Sequence, residues 1–149
     1  MTGSDEIHRG RCYCGASRVS ARGAPRTVAY CHCSDCRRIT GAPVAAFAAW
    51  APSDLMLDPT ELSPFSIRSG VERWFCPTCG SPLAARWDYL PGQIYVPVGL
   101  FDHAEDLAPT LHAHAGEALP WLHIQDDLPR MSSSARDGLN RMAARGKDV

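Results

Sequence analysis

The chain has 149 residues, 45% of them hydrophobic and 21% charged, the make-up of one ordinary globular domain with a core to bury. A formal charge of -1 gives no electrostatic basis for holding nucleic acid or an anionic membrane surface. Residues 1–9 lack the apolar core of a secretory signal, and no apolar run approaches the roughly 20 residues of a membrane span.

In chain order, residues 1–6 read as a tail and 8–12 as a short strand that enters a turn at Cys14-Gly15. Residues 16–21 run back as a second strand. Gly23 and Pro25 mark a turn, and 26–30 is β-like up to Cys31. Ser34 can cap a helical turn over 34–39, with Asp35 in its first turn; Gly41 and Pro43 end it. Residues 44–50 are an apolar run of strand length, bounded too tightly by Pro43 and Pro52 for a helix. Three prolines make 51–64 a loop with one short turn at 53–55. Strands are expected at 65–69 and 71–75, joined at Ser69-Gly70, and at 82–88 and 93–99 around Pro91-Gly92. A loop over 100–106 and a strand over 110–114 lead to a closing segment from Leu119 to Pro129. Residues 132–145 have weak helical character or form a frayed tail.

The cysteines carry the chemistry. There are seven, and with no secretory signal they suit a reducing cytoplasm, where such spacings hold metal more often than disulfides. Cys12 and Cys14 project to one face of a strand, and Gly15 bends the chain just after them. Cys76-Pro-Thr-Cys79-Gly80 is a zinc-knuckle tip; no βαβ unit surrounds it to suggest a thioredoxin-like redox pair. Cys31 and Cys33 share a strand face, His32 points away, and the turn after Ser34 brings Cys36 back toward Cys33. Seven thiols thus divide into Cys12, Cys14, Cys76 and Cys79, enough to close a tetrahedral zinc, and Cys31, Cys33 and Cys36, which leave one position open. For Cys12 and Cys14, two buried thiols packing as small hydrophobes are the plainer alternative.

Other side chains stay open. Arg37 and Arg38 can offset thiolate charge, hold a substrate carboxylate, or sit at the surface. His32 reads as a packing or supporting residue rather than a ligand. His103, His112, His114 and His123 are scattered, and any one could fill the open fourth position, though none has a spacing that demands it; His112 and His114 share a face and read as an exposed strand edge. Trp121 could lid a pocket, though core packing is the stronger expectation.

Three segments together resemble the glutathione-dependent formaldehyde-activating enzyme family, which includes centromere protein V. They are Gly10-x-Cys12-x-Cys14-Gly15, Cys31-His32-Cys33-x-x-Cys36-Arg37 and Phe75-Cys76-x-x-Cys79-Gly80-Ser81-x-Leu83, with Pro120-Trp121 and Asp126-Asp127-Leu128-Pro129 in agreement. The likeness spans about residues 10–129, leaving 130–149 as a C-terminal tail. It implies a mainly β, Mss4-like fold of several small coiled antiparallel sheets. It also implies Zn2+ at two sites: Cys12, Cys14, Cys76 and Cys79 structural, Cys31, Cys33 and Cys36 catalytic. The implied reaction joins a small-molecule thiol such as glutathione to formaldehyde, formally a carbon–sulfur lyase reaction in reverse. No glutathione-specific motif is visible. Two other readings stand beside it: a non-catalytic module with two structural zincs, and a Cys33–Cys36 redox switch.

Overall fold

The computed structural model describes residues 5–133 and shows a mainly β protein built on two sheets. The expected helix over 132–145 lies almost wholly outside those residues. The first sheet has three strands in the order β1 (Ile7–Arg11), β2 (Arg18–Arg22) and β5 (Leu55–Asp58), all antiparallel. The second has six, in the order β6 (Val71–Phe75), β7 (Pro82–Trp87), β8 (Ile94–Pro97), β4 (Ala45–Trp50), β3 (Thr27–Cys31) and β9 (Leu111–Ala113). Its β3–β9 pair is parallel, so the sheet is mixed rather than wholly antiparallel. One α-helix, α1 (Ser34–Thr40), links β3 to β4.

The apolar run at 44–50 becomes the strand that organises the core. Successive side chains of a strand point to opposite faces. In β4 both faces are covered, which explains why it does not alternate with polar residues. Ala48 and Trp50 face the first sheet and pack with Val19, Ala21, Val28, Val96 and Phe101. Ala45, Phe47 and Ala49 face the other way and pack with Cys36, Leu90 and Tyr95. Trp50 is almost wholly buried, and its indole N–H donates to the Gly23 carbonyl at 2.9 Å, so the polar atom is not stranded.

Two expectations fail for physical reasons. Residues 51–64 are not all loop: Leu55–Asp58 pairs with β2 as an edge strand. Its inward-outward alternation spans only four residues between prolines, too short to stand out from the sequence. Residues 65–69 are not a strand; only Phe65 bridges to Arg73. Ile67 is 88% exposed, so the segment has no face to bury. The stretch 93–99 is also shorter as a strand, ending at Pro97 before a 3-10 turn over Val98–Leu100. No described helix is long and apolar enough to cross a membrane.

Candidate metal centres

The first cysteine group lies where the two sheets meet. Cys12 and Cys14 follow β1, while Cys76 and Cys79 sit between β6 and β7. Each pair is carried by the same backbone device. Cys12 N–H donates to Ser17 O and Cys76 N–H to Ser81 O, both at 2.9 Å. Gly15 N–H returns to Cys12 O at 3.2 Å and Gly80 N–H to Cys76 O at 2.8 Å. Both glycines have φ near +80° (84° and 80°), a conformation that side-chain-bearing residues resist. The turn leaves N–H groups aimed at sulfur: Ser17 N–H lies 3.3 Å from Cys12 Sγ and Ala16 N–H 3.4 Å from Cys14 Sγ. The Ser81 hydroxyl sits 3.1 Å from Cys79 Sγ and draws that thiol's pKa down to about 5.

The four sulfurs lie within 4.8 Å of one another. The Cys12–Cys14 separation is 3.6 Å and the Cys14–Cys76 separation 3.9 Å. A tetrahedron with zinc–sulfur bonds of about 2.3 Å has edges of about 3.8 Å. The donor set and its spacing therefore fit a closed tetrahedral metal site.

The second group is built by a strand end and a helix start. Cys31 ends β3, Cys33 is the N-cap of α1, and Cys36 lies in its first turn. Cys33 Sγ accepts from Cys36 N–H at 3.3 Å and stands 3.4 Å from Cys31 Sγ. The three sulfurs also gather within 4.8 Å, and among the described residues no fourth His, Cys, Asp or Glu joins them. Their charge is shared unequally. Hydrogen bonds from Cys31 and Cys36 pull Cys33 down to about 2, while that same bond pushes Cys31 up to about 12. Cys36 is also pushed up, by Cys31 and Cys33.

These three cysteines line a cavity of about 600 Å³. Phe47, Trp87, Tyr95 and Leu90 form an apolar wall, and Arg68, Asp88, Tyr89, His114 and Glu117 also reach it. Burial, then the negative thiols, raises the Tyr89 pKa to about 12. Tyr95 is raised as well, by burial first, and its buried hydroxyl has no partner among the described residues.

The other singled-out residues fall elsewhere. Arg37 Nε reaches the His32 carbonyl at 3.4 Å, and Arg38 lines a neighbouring groove with Phe65 and Ile67; neither lines the cavity. Trp121 is 64% exposed, so it is not core, and it does not line the cavity. His103 pairs with Glu105 at an exposed site.

The expected exposed histidine edge is overturned. His112 is 1% exposed and stacks on Tyr30, with ring centroids 4.7 Å apart. Its Nδ1 lies 2.8 Å from His32 Nε2, and its Nε2 lies 3.0 Å from Asp126 Oδ2. His114 does not share its face, because β9 ends at Ala113 and His114 turns out at φ 52°. Parallel pairing sets Ala113 opposite Cys31, which delivers His114 to the cavity. Neither placement could be read from spacing, because both depend on a long-range pairing.

The model of the glutathione-dependent formaldehyde-activating enzyme family matches residues 7–117. The chain belongs to that family. A crystal structure of a Rhodobacter sphaeroides protein, a structural genomics target, is similar to this family member with a TM-score of 0.56 and 25% identity. That similarity covers 70% of this chain and 99% of the other. No curated protein matches the chain. The two-sheet, mainly β architecture with cysteine knuckles agrees with the Mss4-like expectation.

Proposed function

We propose that this protein is a zinc-dependent enzyme of the carbon–sulfur lyase type. It adds a thiol, glutathione or a similar one, to formaldehyde or a related small carbonyl, or runs the reverse. The observation that carries this reading is an incomplete ligand set at a cavity wall: Cys31, Cys33 and Cys36 gather without a fourth described ligand. Cys12, Cys14, Cys76 and Cys79 hold the structural ion and Cys31, Cys33 and Cys36 the reacting one. Zinc in an open thiolate site supplies a stable position for an added thiol in its deprotonated, nucleophilic form.

In the forward direction the thiol sulfur bonds to the carbonyl carbon. The C=O π pair moves to oxygen, and the thiol's proton ends there as the hydroxyl of a hemithioacetal. The reverse breaks the C–S bond and returns the proton to sulfur. His114 is placed to carry that proton: it lines the cavity, and Glu117 Oε2 lies 3.4 Å from its Nδ1. Phe47, Trp87 and Leu90 give the cavity an apolar wall.

Paired substitutions test the division of labour. Cys36→Ser should cost one metal equivalent and the activity, while the melting temperature moves by a few degrees. Cys76→Ser should unfold the protein or lower its melting temperature far more, because structural metal binding is folding free energy. Equal effects would refute the division. A fourth protein ligand found on the second ion by X-ray absorption would favour the non-catalytic module instead.

A further inference from the structure

We infer that the cavity beside Cys31, Cys33 and Cys36 selects a thiol with an uncharged, aromatic-sized body over glutathione. The inference rests on the reading of the site given above and specifies its substrate class.

Charge comes first. Glutathione carries two carboxylates and one ammonium at neutral pH. Among the described residues lining the cavity, the carboxylates are Asp35, Asp88 and Glu117, and Arg68 is the single Arg or Lys. Arg68 is already engaged, with Nη1 2.9 Å from Asp35 Oδ2. The two arginines beside the cysteine motif do not help, since Arg37 turns to the His32 carbonyl and Arg38 to the adjoining groove. Three thiolates holding Zn2+ would leave a net charge of about -1 on the same wall. A body of net charge -1 would shed hydration while facing like charge, and the one guanidinium present is already paired to Asp35.

Shape points the same way. Trp87 stands edge-on to both Tyr95, at 5.3 Å between ring centroids, and Phe47, at 6.4 Å. With Leu90 and Val71 these rings make a wall that pays for apolar contact. A cavity of about 600 Å³ is far larger than formaldehyde needs, so it has room for the thiol's body.

The test compares benzyl mercaptan with glutathione on the full-length, zinc-loaded protein. Adduct formation with formaldehyde is followed by NMR above the uncatalysed rate, and binding of each thiol is measured by calorimetry. Benzyl mercaptan should exceed glutathione in affinity and in kcat/KM by on the order of tenfold at low salt. Added salt should narrow the gap by screening the carboxylates. Asp35→Asn, which removes a carboxylate and frees Arg68, should narrow it too. Glutathione equal to or better than benzyl mercaptan overturns the inference and leaves the lyase reading standing. Preferential binding of benzyl mercaptan without turnover of either thiol upholds the inference and removes the lyase reading. Binding of neither thiol overturns both.

Discussion

At the scale of single residues, Gly10 shows how closely the parts are fitted. It lies in β1 opposite Val19 and also bridges to Phe101. A Cβ there would collide with the Leu100 carbonyl, a backbone atom that cannot swing aside. Gly10→Ala should therefore cost about 1–3 kcal/mol, read as a lower urea midpoint at unchanged m-value. Asp126 offers a pH test. The His112 hydrogen bond, together with Leu128 N–H and Arg130, holds its carboxyl down at about 2, below its ordinary 3.8. A depressed acid stabilises the fold fully above its unfolded value, and that stabilisation is lost as pH falls through the folded one. Wild-type stability should thus fall relative to Asp126→Asn between about pH 4 and pH 2, in a pairwise comparison of acid unfolding. Parallel curves would remove Asp126 from the account. His32 shifts in the same direction: burial, then His112 and Arg130, lowers its pKa and favours the neutral ring.

At the scale of elements, the segment after Ile124 behaves as an addition to the sheet. His112 N–H donates to Pro129 O at 2.9 Å and Met131 N–H to His112 O at 2.8 Å, so this segment runs alongside β9. Arg130 fastens it. Its Nη1 reaches Asp126 Oδ1 at 2.8 Å and Leu128 O at 2.7 Å, and its Nη2 reaches Ile124 O at 3.0 Å. Arg130→Ala should lower stability by about 1–2 kcal/mol, because these bonds are partly exposed to water. Faster amide exchange should appear at His112 and Met131, with little change at β1. The same segment supports the cysteine loop through Asp126, His112 and His32 in series. The Asp-Leu-Pro signature seen in the sequence is therefore a docking element, while the Pro-Trp signature contributes an exposed ring.

At the scale of the whole molecule, the four-cysteine group joins the sheets. Two ligands follow β1 of the first sheet, and two lie between β6 and β7 of the second. The adjoining core is small, with Cys12, Cys76 and Leu83 as its buried members. Metal ligation by the four sulfurs would supply cohesion that apolar area there does not. Strong chelation should lower the melting temperature globally and reversibly, with zinc restoring it, rather than merely abolish activity. Acid should release metal for the same reason, since each thiolate must be protonated to leave.

Local chemistry was legible without the fold. The division of seven thiols into four and three, the knuckle turns at Gly15 and Gly80, and the turn that returns Cys36 to Cys33 follow from spacing and capping within a few residues. The family likeness followed from the same motifs. What only the tertiary structure decided is everything that depends on long-range pairing. The parallel docking of β9 on β3 buries His112 and carries His114 to the cavity. The packing of β7 and β8 against β4 gathers Trp87 and Tyr95 into its wall. Arg37 and Arg38, adjacent to the thiols in sequence, are directed away from that cavity, while Arg68 arrives from a distant loop. Metal ligands on short turns are set by local backbone geometry; the walls of a cavity are set by how sheets associate, and sequence spacing does not encode that.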